Sequence, residues 1–302
     1  MSAPHLIAVG AICDTTIYRV PAVPSLPAKA LADQVARVVD GMAVSAACAF
    51  VKMGGTASAW GRLGDDPLGY SMQRALGDAG LDVKALRLVP GGSSSTAAVI
   101  VDHAGDRLVV PYHDPSLDPD PGFLPLGDIA RADFIHCDMR WPEGAEAAMR
   151  AARKAGKRVM LDADVGPRAI LERLVPLATH AVFSDAGLLA FTGASDVSEG
   201  LKAVAATHTG HVGASCGAQG YLWWEEGAVR HVPAPEVAVI DTLAAGDVFH
   251  GALAYALAEG RPMVDAARFA CVAASIKCTR FGGRLGCPSR AEVDALLAGF
   301  SG

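Results

Sequence analysis

The 302-residue sequence carries little charge, 19% Asp, Glu, Lys and Arg, and no basic excess: its formal net charge is −6 and its pI about 5.8. A nucleic-acid backbone or an anionic membrane surface finds no electrostatic footprint here, which leaves small-molecule chemistry as the better expectation. The seven cysteines (13, 48, 137, 216, 271, 278 and 287) include no C-x-x-C pair. An odd, scattered set makes no disulfide framework and suits a reducing compartment. No stretch reaches the roughly 18 uncharged apolar residues that span a bilayer. The first residues, MSAPHLIAVGAICD, have no basic segment before a short apolar one, so the protein is expected in the cytoplasm. Neither H-E-x-x-H, G-x-x-x-x-G-K-[ST] nor any G-x-G among the 33 glycines occurs, which excludes the commonest zinc, P-loop and dinucleotide fingerprints.

What is present is apolar: 51% hydrophobic residues and a mean hydropathy of +0.30 exclude a disordered chain, and the alanine-rich content favours helices. The length suits one large α/β unit. HLIAVGA, residues 5–11, reads as a first buried strand. Two β-like tracts, about 15–39 (broken by PAVPSLP) and 96–112 (with a hairpin turn at 103–106), are expected to pair into a small separate sheet. Beyond residue 130 the pattern alternates: ADFIHC, EGAEAAMRAARKAG, KRVMLDAD, RAILERLVPLA, HAVFS, AGLLAFTG. Strand–helix alternation of this kind builds a mostly parallel sheet with helices on both faces. Strands near 211–214 and 221–224 and helices from about Ala245, Met263 and Arg290 complete the order, with no linker, repeat or low-complexity segment.

The strongest chemical signal is Val239 to Ala252, VIDTLAAGDVFHGA. An apolar strand over 236–240 is expected to run into small residues and then a long apolar helix, so that free N–H groups of Ala244 to Asp247 face a cleft. Asp247, in the first helical turn, is placed to accept the proton of a hydroxyl while those amides hold a transferring phosphoryl group. The helix dipole would favour its ionised form and make it a weak base. Aspartates 241 and 247 also suit turn and cap positions, and this segment alone does not separate the two roles. A second segment, Asp40-Gly41-Met42-Ala43-Val44-Ser45, opens a helix. It is followed by Gly61, Gly64, Asp66 and Gly69, with Pro67 at a first helical position.

Together these segments resemble the signatures of the PfkB, or ribokinase-like, family of carbohydrate kinases: D-T-x-G-A-G-D, met at Asp241 to Asp247 with Ala244 for the first glycine, and G-x-x-G-x-D-x-x-G, met from Gly61 to Gly69. The resemblance covers nearly the whole chain. It implies a ribokinase-like three-layer α/β/α sandwich forming one domain over 1–302, with a β lid that relatives use for homodimerisation. It also implies ATP-dependent transfer to a sugar hydroxyl, with Asp247 as catalytic base and the amides of Ala244, Ala245 and Gly246 as an anion hole. Asp14, Gly41 and Ser45 match sugar-binding positions, although relatives often carry glycine at Asp40 and asparagine at Ser45. Ser215, Gly217 and Gly220 resemble a nucleotide-approaching turn, and Thr242, Gly246 and Gly283 fall on the ATP side. Ser184 stands where relatives carry the asparagine of an N-x-x-E motif linked to Mg²⁺, whose glutamate is missing here. Asp241 matches a ligand of a monovalent cation such as K⁺.

Segments around Arg140, Asp162 and Lys277 look most like bacterial kinases of 6-deoxy-6-sulfofructose. On that likeness Lys29 in the lid and Arg140 at a strand end would read an anionic group, a guanidinium offering a planar fork. Pro111 replaces a polar amide of those kinases, which keeps a neutral or phosphorylated ketose in play. The competing readings are a nucleoside kinase and a non-catalytic sugar-binding protein of the same fold.

Overall fold

Alternation along β1 (His5–Val9) sends Leu6 and Ala8 into one core and Ile7 and Val9 into another, so this central strand is buried on both faces. The computed structural model describes residues 3–299 apart from Ser25, Leu26 and Ala28. After β1 come β2 (Cys13–Val20), β3 (Gln34–Asp40), α1 (Met42–Lys52), β4 (Thr56–Gly64), α2 (Pro67–Asp78), β5 (Leu81–Val89), β6 (Thr96–Asp102) and β7 (Arg107–Tyr112). The middle of the chain gives β8 (Phe134–Asp138), α3 (Pro142–Lys154), β9 (Arg158–Ala163), α4 (Arg168–Leu174), β10 (His180–Ser184), α5 (Asp185–Thr192) and α6 (Val197–Ala205). The last part gives β11 (His211–Ser215), β12 (Tyr221–Glu225), β13 (Ala228–Val232), α7 (Ala245–Ala258), α8 (Met263–Cys278) and α9 (Arg290–Gly299).

Nine strands form the main sheet in the order β13-β12-β11-β10-β9-β8-β1-β4-β5, antiparallel only at β11/β12 and β12/β13. One core joins α1, α2, α7 and α8 to the sheet, and the other joins α3 to α6 to the opposite face. Helix α7 is apolar all round and buried from Val248 to Leu257, because it is sandwiched between neighbours. Gly251 permits this: a Cβ there would lie 2.2 Å from the Ala46 carbonyl oxygen of α1.

The two β tracts pair into a four-stranded lid, β3-β2-β6-β7, whose β6/β7 turn falls at 103–106. Cross-strand rows such as Val35–Tyr18–Ile100–Leu108 form its outer face. Cys13, Thr15, Ala97, Val99, Arg107, Val109 and Pro111 face inward over a cavity. One expected element is absent. Residues 236–240 make no strand; Ile240 and Asp241 instead donate their N–H groups to the Cys278 carbonyl at 2.8 and 3.1 Å, so this run caps the end of α8 along the cavity rim. The G-x-x-G-x-D-x-x-G segment is architectural. Asp66 caps α2, accepting from Gly69 N–H at 2.6 Å, and holds Ser94 N–H at 2.8 Å. No helix among the described residues is long and apolar enough to cross a membrane.

Candidate active site

Between the lid and the C-terminal ends of β8 to β11 lies a cavity of about 1310 Å³. Strand ends in an open α/β sheet collect ligand-binding groups because the loops there are free of the ladder. The cavity is lined by Asp40 and Gly41 from the end of β3, Arg140, Asp162 and Asp164 after β8 and in and after β9, Ser184 and Asp185 at β10/α5, Ser215, Gly217 and Gly220, and Thr242 to Asp247. Most of the residues marked in the sequence meet here. Asp14, Ser45, Lys29, Asp241 and Gly283 do not line it.

Asp14 fails to reach the cavity by one residue of register. Cys13 and Thr15 point inward, so Asp14 lies on the outer face of the lid, where Arg37 grips it through Nε at 3.1 and 2.8 Å and through a second nitrogen at 2.7 Å. Ser45 is fully buried and donates its hydroxyl to Asp40, which also accepts Gly41 N–H at 3.0 Å. The carboxylate that reaches the cavity at this end is therefore Asp40, and Ser45 braces it. Gly41 is required by its φ of 140° and because a Cβ would strike the Ala11 carbonyl oxygen at 2.2 Å. Lys29 is exposed on the β2/β3 connection.

At the start of α7, Ala244 is the N-cap and adopts φ 61°, ψ 12°, the left-handed region that glycine occupies freely. The expected anion hole needs one correction: Ala245 N–H donates to the Thr242 carbonyl at 3.2 Å. The N–H groups of Ala244, Gly246 and Asp247 make no bond to another described group and are left for a ligand. His250, one turn on, is buried and uncharged, its pKa lowered to about 4 by burial. Its Nδ1 donates to the Gly246 carbonyl at 2.8 Å, steadying this first turn. Arg107 of the lid donates to Thr242 Oγ1 at 2.5 Å, joining the hairpin tip to the same loop.

Asp247 does not behave as its helix position alone suggests. Burial pushes its carboxyl well above the ordinary range, the neighbouring Asp40, Asp138 and Asp164 push in the same direction, and Lys277 opposes them. Asp162 is raised in the same way by burial and by Asp247, Asp164 and Asp138. Burial, reinforced by three like charges, outweighs one helix terminus. Asp138, fully buried, is raised to about 6 by burial although it accepts N–H groups from Arg140 at 2.8 Å and from Ala11 and Ala43 at 3.2 Å each.

At the end of β10, Ser184 caps α5, accepting from Gly187 N–H at 3.0 Å and donating to Asp164 at 2.9 Å. Gly220 has φ 94°, and a Cβ there would lie 2.1 Å from the Val232 carbonyl oxygen. Among the described residues no cluster of three or more His, Cys, Asp and Glu is arranged to hold a metal ion. Asp241 does not fit the expected monovalent cation: it is fully buried, both N–H groups of Gly282 and Gly283 donate to it, and the Lys277 ammonium occupies its remaining side. Gly283 spends its N–H on Asp241 and does not line the cavity. Sequence reasoning missed Lys277, His250, Asp138, Asp162, Asp164 and Arg107 as site residues; the aspartates at the C-terminal ends of HCD and MLDAD were a usable signal.

A lid over the C-terminal ends of parallel strands, an aspartate in a helix first turn and free N–H groups beside it suit a phosphoryl-transfer site. The model of the pfkB family carbohydrate kinases matches residues 4–290, and the chain belongs to that family: it is a carbohydrate kinase with the ribokinase-like fold. The crystal structure of a provisional ribokinase from Agrobacterium tumefaciens is 38% identical, with a TM-score of 0.95 over 99% of this chain and 98% of that one. A fructokinase of Vibrio alginolyticus is 26% identical over 274 residues, 84% of this chain and 89% of the relative. Arabidopsis thaliana ribokinase, solved with ribose and ATP, is 24% identical with a TM-score of 0.82 over 100% of both chains, and shares the fold.

Proposed function

We propose that this carbohydrate kinase transfers the γ-phosphoryl group of MgATP to a hydroxyl, preferably primary, of a ketose. The observation that carries this reading is that the Asp247 carboxylate, the unpaired N–H groups of Ala244, Gly246 and Asp247, and Asp40 share one cavity with the Ser215 to Gly220 turn. MgATP enters as substrate, its phosphates running from Ser184 and the Ser215 to Gly220 turn toward Gly246. The sugar lies under the lid, with hydroxyls donating to Asp40. As the sugar oxygen bonds to the γ-phosphorus, the bond from that phosphorus to the bridging oxygen breaks and its electron pair leaves on ADP. The hydroxyl proton passes to Asp247. A carboxylate raised above its ordinary range is a better base than an exposed one, and the N–H groups take up charge on the transferring oxygens.

Arg140 favours an anionic ketose as a second reading. It lines the cavity, 3.1 Å from Asp164, and its charge helps lower the nearby His113 below its ordinary value after burial, which keeps that imidazole neutral. Lys29 takes no part in this reading. An ATP-coupled screen over ribose, fructose, fructose phosphates, sulfofructose and nucleosides tests both. Turnover on ketoses supports the first, turnover confined to nucleosides or absent throughout refutes it, and an Arg140→Ala variant that keeps the preference between an anionic ketose and its neutral analogue removes the second.

A homodimer through the lid is part of the same proposal. Tyr18, Val35, Leu108, Val110 and Tyr112 leave an apolar outer face exposed, between 42% and 64% each. A second copy would cover it, and sedimentation of the wild type against Leu108→Asp should show a dimer becoming a monomer.

A further inference from the structure

Lys277, on the last turn of α8, is 0% exposed, and a buried ammonium away from solvent needs a structural or functional reason. Its Nζ donates to the Asp241 carbonyl oxygen at 2.6 Å and stands 3.3 Å from Asp241 Oδ2. The rest of Asp241 is already engaged: Oδ1 accepts Leu243 N–H at 2.8 Å, and Oδ2 accepts Gly282 N–H at 3.0 Å and Gly283 N–H at 2.9 Å. Three segments therefore meet on one ion pair: the end of α8, the 282–283 turn and the strap 241–244 that leads into the first turn of α7. A small cation needs carboxylate oxygens with free lone pairs and no positive charge beside them; here Oδ2 already accepts two N–H groups and the Lys277 ammonium stands 3.3 Å away.

We propose that Lys277 is a built-in cation for the phosphoryl-transfer loop: its tethered ammonium performs at Asp241 the charge-neutralising and loop-fixing role that a bound monovalent cation would otherwise perform, so the enzyme is indifferent to K⁺. The inference rests on the reading of 241–247 as the transfer loop. Lys277 is a positioning residue, since it touches Asp241 and lies outside the cavity lining. It acts through two routes. The ammonium pins the Asp241 carbonyl and carboxylate, which sets the path of the backbone to the left-handed Ala244 and the N–H groups beyond it. It also supplies the positive charge that counters Asp40, Asp138 and Asp164 at Asp247.

The test compares the wild type in KCl, NH₄Cl and tetramethylammonium chloride of equal ionic strength, reading both kcat and the thermal midpoint. Equal values in all three salts are expected; a several-fold rise in kcat, or a midpoint raised specifically by K⁺, would overturn the proposal. Lys277→Met should lose at least ten-fold in kcat with little change in KM in tetramethylammonium chloride. K⁺ or NH₄⁺ should restore part of that loss and raise the variant's midpoint. A folded variant that is fully active, or inactive and unmoved by any of these cations, overturns it too. Should the methionine variant fail to fold, Lys277→Arg keeps the charge with an altered reach. It should retain salt-independent activity at a lower level, and a dependence on K⁺ in this variant with none in the wild type would also support the proposal. The midpoint in the three salts reads the cation directly, so it decides the matter even if no sugar tried is a substrate.

Discussion

Replacing Ala244 by glycine should stabilise this protein, although the substitution deletes a methyl group and loosens the chain. At φ 61° and ψ 12° an L-residue pays for the approach of its Cβ to the following carbonyl, about 1–2 kcal/mol. Glycine does not, but it gains about 0.4–1 kcal/mol of freedom in the unfolded chain. The difference leaves roughly 0.5–1 kcal/mol in favour of Ala244→Gly. Valine, branched at Cβ, meets the same backbone with a second obstruction and should cost roughly 1–3 kcal/mol relative to alanine. Urea unfolding of the three proteins reads these differences as shifts in midpoint at constant slope. The glycine variant should also keep its phosphoryl-transfer rate, because the N–H at position 244 is retained. A glycine variant less stable than the wild type, together with a valine variant equal to it, would mean that residue 244 is not left-handed and would remove this account of the loop.

Asp138 gives a pH test. Its carboxyl is raised to about 6 in the folded state, so folding favours the protonated form. The stability it contributes is complete below the ordinary carboxylate value and is lost as pH rises through about 6, a fall of about 3 kcal/mol. Asp138→Asn should flatten that part of the stability–pH curve measured by urea unfolding; an unchanged slope would contradict the assignment. Gly251→Ala, whose new Cβ would sit 2.2 Å from the Ala46 carbonyl oxygen, should force α7 from α1 and cost about 1–3 kcal/mol, and a neutral result would show that the two helices pack less closely.

Where hydrophobic periodicity decides the outcome, the sequence was readable. The starts of α7, α8 and α9, the turn at 103–106 and the split origin of the lid all follow from period, turn residues and proline placement. The expected strand over 236–240 failed because an apolar alternation needs a ladder partner, and here the backbone is spent on the end of α8. Asp14 shows a different limit. Its type and approximate place suited a sugar ligand, but the pairing of Asp14 with Val39 and Thr96 decides which face it takes, and a shift of one residue reverses that face. Asp247 was found by motif, while its raised carboxyl was not, because its burial is set by the fold, and Asp40, Asp138 and Asp164 come from segments far away in the chain. Lys277 sits in a helix whose sequence shows only a basic residue near its C-terminus, a common placement. Only the fold brings it against Asp241.

Phosphoryl transfer from ATP to a ketose by Asp247→Asn, measured beside sugar binding to the same variant, addresses the central claim most directly. The account predicts that kcat falls by about 10²–10⁴ while sugar binding stays close to that of the wild type. Turnover at the wild-type rate in that variant would contradict it.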